Sequence, residues 1–147
     1  MVLIHMLCSF LSYAAFLIAF IAGMLFLAQE HQLKHKQMGW LFHRLPSLDV
    51  LDRINFVAIG AGFALLTVGL GYGVLETKLL LGRWWTGDSK VYLTVVLWSS
   101  YLALWLLRLR ATLRGHRVAL LSALGFCLVV LTVIGASYLV PSLHPYL

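Results

Sequence analysis

The sequence predicts an all-α integral membrane protein, built as a bundle of four transmembrane helices. Of its 147 residues, 62% are hydrophobic and only 11% are charged, whereas a soluble domain is nearer half apolar. A bilayer core requires about 20 consecutive apolar residues per helix, and four stretches of the chain satisfy that requirement. These runs lack the alternating pattern of membrane β-strands, which excludes a barrel.

We expect the helices near residues 2–28, 54–77, 90–109 and 117–140, within a single membrane domain over residues 1–147. The first run is longer than the apolar region of a signal peptide and no basic residue precedes it, so we interpret it as a retained helix. Pro46 breaks the chain after it, and Ser47 offers an N-cap with Asp49 in the first turn. A short interfacial helix near residues 47–54 is therefore expected to lead into the second transmembrane helix.

The second helix is rich in small residues at helical spacing. Gly69 and Gly73 form a GxxxG pair, and Ala58 and Gly62 form a similar pair. Such residues let helix backbones approach closely. The same face would also accept a flat macrocycle, and both interpretations stay open at this point, with packing favoured.

The basic residues predict which side of the membrane each connector occupies. Eight lie in the first and third connectors: Lys34, Lys36, Arg44, Arg53, Arg108, Arg110, Arg114 and Arg117. The opposite side has Lys78, Arg83 and Lys90. By the positive-inside rule the first group is cytoplasmic, so both termini lie outside a bacterial cytoplasmic membrane. The net charge of +6 is thus explained by topology, and no nucleic-acid partner is predicted.

Two histidines near the chain ends are the leading candidate site residues. Four crossings is an even number, so His5 and His144 lie on the same side of the membrane, together with the Trp-rich loop after the second helix. A single interfacial histidine is usually only a polar residue at the headgroup boundary. Two neutral imidazoles on one face, however, suit the iron of a haem, which binds one on each side of its ring.

The loop supplies the other candidate residues. Trp84 and Trp85 would form an aromatic wall, or they belong to the interfacial aromatic belt. Arg83 or Lys90 would pair with haem propionates. Asp88 would hydrogen-bond a ligating histidine, cap the third helix, or do both.

Other chemistries find little support in the sequence. Cys8 and Cys127 are far apart and no CxxCH motif occurs, so any haem is expected to be b-type and non-covalent. His31 and His35 are flanked by lysines and fit a solvated helix end better than a metal site. No nucleophile–base pair, phosphate loop or paired carboxylates is present, so the protein is not expected to be an enzyme.

Three stretches resemble the cytochrome c assembly protein family, and within it the HemX-like and CcsA-like branch. HMLCSFLSYAA at residues 5–15 is similar to the family's histidine-led helix, GAGFALLT at 60–67 to its GFxLLT helix, and SLHPY at 142–146 to its closing LHSY. The resemblance implies that His5 and His144 are axial haem ligands. It also implies that Trp84, Trp85 and the loop near Asp88 face the haem.

The chain departs from the family's WGxxWxWDPK motif at several positions. It keeps Gly82, Trp85, Asp88 and Lys90, but has Leu81, Gly87 and Ser89 where the motif has its first Trp, last Trp and Pro. No helix interior contains a histidine, in contrast to family members that conduct haem across the membrane.

The leading hypothesis is a haem-binding membrane protein of cytochrome c assembly or haem homeostasis, with haem, the bilayer and other membrane subunits as partners. One alternative is a haem-bearing electron-transfer subunit of a larger redox complex. Another is a structural helix bundle without a cofactor, to which the GxxxG pair and the missing tryptophans point.

Overall fold

A computed structural model describes residues 2–36, 39–84, 87, 89–110 and 114–138. These residues form five helices: α1 (Val2–Lys34), α2 (Trp40–Arg44), α3 (Leu48–Leu81), α4 (Ser89–Leu109) and α5 (His116–Tyr138). Across those ranges no β-strand occurs. The predicted all-α architecture is confirmed.

Four of the helices, α1, α3, α4 and α5, are long and apolar enough to cross a membrane. The 21 residues of α4 and the 23 of α5 span about 31 and 35 Å at ~1.5 Å per residue, close to a hydrocarbon core of ~30 Å. The 33 residues of α1 and the 34 of α3 span about 50 Å. Both longer helices therefore tilt in the bilayer or extend beyond its core.

The sequence predicts that the first helix ends near residue 28, but α1 continues through a polar segment to Lys34. Glu30 forms an i,i+4 ion pair with Lys34 at 3.1 Å, and its second carboxylate oxygen lies 2.6 Å from Nδ1 of His116 at the start of α5. The first contact supports the helix locally. The second attaches that last turn of α1 to α5, which explains why the helix continues.

The interfacial segment and the second transmembrane helix are one continuous helix, α3. Ser47 occupies its N-cap position with an extended backbone, φ −61° and ψ 156°, but its side chain makes no capping hydrogen bond. Asp49 lies in the first turn, as expected. At the other end Gly82 adopts φ 67° and donates its N–H to the carbonyl of Lys78, so glycine provides the left-handed C-cap.

The small residues of α3 pack against α1. A Cβ at Gly62 would lie 2.6 Å from Cε1 of Phe16, and one at Gly69 would lie 3.1 Å from Oγ of Ser9. Phe16 in turn stacks on Tyr101 of α4, with ring centroids 3.7 Å apart. Close helix packing is therefore the observed role of this face at Gly62 and Gly69.

A buried polar cluster joins all four long helices. We call Asp52, Asn55, Arg108 and Ser122 the polar clamp. Asn55 donates from Nδ2 to the carbonyl oxygen of Ala19 in α1 at 2.7 Å and to Oγ of Ser122 in α5 at 3.0 Å. Arg108 of α4 donates to Oδ1 of Asn55 at 3.3 Å and to the carboxylate of Asp52 at 2.7 Å. Because lipid supplies no hydrogen bonds, these groups satisfy one another.

Replacing Asp52 by Asn is expected to destabilise the bundle by about 2 kcal/mol, because the guanidinium of Arg108, whose side chain is only 7% exposed, loses its charge partner. Asp49→Asn, one turn earlier in α3 and exposed, is the matched control and should change stability by less than ~1 kcal/mol. Unfolding of the purified protein in mixed detergent micelles measures both. Equal losses in the two variants would contradict the role of the clamp.

Candidate functional site

His5 has a defined orientation at the beginning of α1. Its ring is half-buried, and its Nδ1 lies 2.7 Å from the carbonyl oxygen of Gly69 in α3. A carbonyl oxygen only accepts hydrogen bonds, so Nδ1 carries the proton and donates it. The lone pair is consequently on Nε2, which is the arrangement that a metal-binding histidine requires.

Gly73 provides the space in which this imidazole lies. A Cβ at position 73 would be 3.0 Å from Cε1 and 3.1 Å from Nδ1 of His5, closer than ordinary van der Waals contact. Gly69 and Gly73, the GxxxG pair, therefore have two distinct roles. Gly69 packs against α1 and supplies the carbonyl acceptor, and Gly73 leaves room for the ring.

A cavity of about 370 Å³ lies beside His5, between the four long helices. We call it the polar cavity. Its lining residues come from α1, α3, α4 and α5 and are His5, Ser9, Tyr13, Leu66, Leu70, Lys90, Thr94, Thr132 and Val133. His5, Ser9 and Tyr13 are four residues apart and so share one face of α1. That spacing is a signal visible in the sequence, although sequence analysis missed Ser9, Tyr13 and both threonines as site residues.

The cavity shows which helix ends lie together. It brings His5 from the start of α1 beside Lys90 from the first turn of α4 and Val133 from the last turns of α5. We call this the His5 end of the bundle. At the opposite, basic end, Arg108 meets Asp52 and His116 meets Glu30. The expected grouping of helix ends is therefore present in the part of the chain that the structure describes.

The predicted loop residues are only partly described. Trp84 is exposed, and the Nζ atom of Lys78 lies 3.5 Å from the centroid of its ring. This cation–π contact attaches the indole to the end of α3. Sequence analysis did not identify Lys78 as a site residue. Arg83 is exposed, whereas Lys90 is half-buried and lines the cavity with His5. Trp85, Asp88 and His144 lie outside the described residues.

The basic end carries no metal-binding arrangement among the described residues, since no group of three or more His, Cys, Asp and Glu side chains forms there or elsewhere in them. His31 and His35 lie with ring centroids 4.3 Å apart and both are exposed. Cys8 and Cys127 are free thiols.

Four membrane-length helices, with a cavity lined by His5 at one end of their bundle, define a polytopic helical membrane protein. The chain belongs to the cytochrome c assembly protein family, whose model matches residues 1–144. The resemblance to this family is thereby confirmed.

Curated relatives are similar over much of this chain. A protein of Guillardia theta named cytochrome c biogenesis protein CcsA is 28% identical over 159 residues, covering 98% of this chain and 53% of the relative. Proteins of the same name from a Synechococcus strain and from Gloeobacter violaceus are each 32% identical over 108 residues, or 74% of this chain. Those alignments cover 31% and 32% of the two relatives.

The chain thus spans between about a third and about a half of the length of the curated relatives it matches. No solved structure matches it.

Gly73→Ala is expected to displace the His5 imidazole and weaken its hydrogen bond to Gly69, because the new methyl group would overlap the ring. In spectra of protein labelled with ¹⁵N-histidine, the His5 signals should show a protonated Nδ1 in the unchanged protein and shift in the variant. Gly71→Ala, at a position with open space, is the control and should leave them in place. Identical spectra for both variants would disprove the packing of His5 on Gly73.

Proposed function

We propose that this protein binds haem non-covalently at the His5 end of its bundle and acts, without catalysing a reaction, in cytochrome c assembly. The observation that carries the proposal is the orientation of His5. Its Nδ1–H donates to the Gly69 carbonyl, which leaves the Nε2 lone pair of the neutral ring for iron, and Lys90 lines the same cavity as His5. Membership of the family and the names of the relatives support the assignment to cytochrome c biogenesis.

The donor set fits a b-type haem. Neutral imidazole nitrogen is a common axial ligand of haem iron, and Gly73 leaves the room in which the His5 ring lies. His144 is the proposed second ligand. It follows the last residue of α5, Tyr138, by six positions, and six extended residues span at most about 20 Å. Since the last turns of α5 line the same cavity, His144 is within reach of it.

The loop is the proposed wall of the site. Trp84 and Trp85 would cover the porphyrin, Arg83 or Lys90 would pair with its propionates, and Asp88 would orient a ligating imidazole. The cation–π contact between Lys78 and Trp84 supports this role, because it positions one indole before any ligand arrives.

The His5 end is proposed to face the outside of a bacterial cytoplasmic membrane. Eight of the eleven Lys and Arg residues belong to the connectors and helix ends at the basic end, which the positive-inside rule assigns to the cytoplasm. Other membrane components of cytochrome c assembly are the proposed partners, which membership of the family supports.

Haem added to the detergent-purified protein should give the absorption spectrum of a bis-histidine low-spin iron. His5→Ala and His144→Ala should each convert it to a five-coordinate or weakly bound form, because one axial ligand is lost. His43→Ala, an exposed histidine of α2 at the basic end, is the matched control and should leave the spectrum unchanged.

Two outcomes would change the assignment. If the double variant at His5 and His144 kept the unmodified spectrum, the ligand assignment would be wrong. Transfer of the bound haem to apomyoglobin is expected of a protein that delivers haem. Permanent retention would instead identify the haem-bearing subunit of a redox complex.

Sidedness has its own test. In a background where both native cysteines are replaced by Ser, Arg83→Cys should react with a membrane-impermeant maleimide in intact spheroplasts, and Arg44→Cys should react only after the membrane is opened. Both side chains are exposed in the structure, so reactivity reports the side of the membrane. The reverse labelling pattern would refute the proposed orientation.

A further inference from the structure

The polar cavity contains hydrogen-bond donors that ligation of iron by His5 does not use. Ser9 and Tyr13 follow His5 on the same face of α1, and both are half-buried. At ~1.5 Å per residue, Tyr13 lies about 12 Å further along the helix than His5. The cavity therefore continues from the ligand histidine into the membrane-spanning part of the bundle.

The hydroxyl groups around the cavity differ in whether their proton is already used in a hydrogen bond within the protein. Thr94 donates to the carbonyl of Lys90 at 2.9 Å, and Thr132 donates to the carbonyl of Leu128 at 2.8 Å. Both threonines have therefore used their only proton on their own helices. Within the described part of the chain, the hydroxyls of Ser9 and Tyr13 donate to no other residue, so their O–H groups can donate to a molecule in the cavity.

Lys90 adds a positive charge to the same space. It lies in the first turn of α4, where the helix dipole disfavours a cation, and it forms no ion pair with any residue in the described ranges. A half-buried ammonium in this position is stabilised when an anion binds beside it. Leu66, Leu70 and Val133 make the rest of the lining apolar.

We propose that the polar cavity binds the carboxylate side chains of a porphyrin, with Lys90 as the cation and Tyr13 and Ser9 as hydrogen-bond donors. The chemistry of the lining requires a molecule with an apolar body and an acidic edge, which a porphyrin dicarboxylate has. The proposal rests on the proposed function in taking that porphyrin to be haem. It adds an orientation, with the acidic edge inserted between the helices and not directed towards Arg83 in the exposed loop.

Metal-free protoporphyrin separates this inference from iron ligation, because it has the carboxylates but no metal for His5. Its fluorescence in a titration of the detergent-purified protein reports binding. Tyr13→Phe and Lys90→Gln should each weaken binding about ten-fold, the expected effect of losing one hydrogen bond or ion pair to a charged group. Lys90→Arg, which keeps the charge, should retain most of the affinity.

Matched controls define the specificity of these losses. Tyr72→Phe removes a half-buried tyrosine hydroxyl of α3 outside the cavity lining, and Lys36→Gln removes a cation at the basic end. Both should bind the porphyrin as the unchanged protein does. The dimethyl ester of protoporphyrin should bind more weakly than the acid and equally to all the variants, which also verifies that each variant is folded.

The titrations can overturn the proposed carboxylate binding in several ways. Equal affinity for the acid and its ester, or unchanged affinity in Tyr13→Phe and Lys90→Gln, overturns the proposal. Competition by oleate as effective as that by the porphyrin acid would make the cavity a site for fatty acids and also overturn it. His5→Ala should retain metal-free protoporphyrin binding while losing the haem spectrum, so failure of iron ligation and failure of carboxylate binding are distinguished.

Discussion

The polar clamp is the constraint on which the arrangement of the helices depends. Asn55 uses its amide to contact α1 and α5, and its carbonyl oxygen accepts from Arg108 of α4. In a bilayer these groups have no water to return to, so separating the helices would leave several polar groups and one charge unsatisfied. Apolar packing alone would discriminate poorly between slightly different rotations of α4 about its own axis. A fixed set of hydrogen-bond donors and acceptors selects one of these rotations.

The polar clamp and the polar cavity lie towards opposite ends of the bundle. Arg108 attaches α4 to α3 near the basic end, and the stacking of Phe16 on Tyr101 holds α4 to α1 further along. Beyond that contact, Lys90 and Thr94 of α4 lie across the polar cavity from α1. The hydrogen bonds of the polar clamp thus lie towards one end of the bundle and the polar cavity towards the other.

Much of this architecture could be predicted from the sequence, because long apolar runs specify membrane helices. Successive membrane helices alternate in direction, which determines which helix ends lie together. The proximity of His5 and Lys90 follows from the same reasoning. The continuation of α1 to Lys34 could not be predicted, since it depends on a contact between Glu30 and His116 that only the folded bundle provides. Nor could the position of Tyr13 beside the cavity, because it depends on which face of α1 packs towards α3 and α4 in the folded bundle. His144, Trp85 and Asp88 remain sequence predictions.

The last turns of α3 link His5 to the aromatic loop. Gly73 accommodates the His5 ring, Lys78 covers the indole of Trp84, and the backbone of Lys78 accepts the capping N–H of Gly82. The last nine residues of α3, 73–81, act as a rigid spacer of two and a half turns. Inserting a single residue between Gly73 and Lys78 would swing the loop by about 100° around the helix axis. The length of this segment therefore sets the direction in which the loop leaves α3 relative to His5.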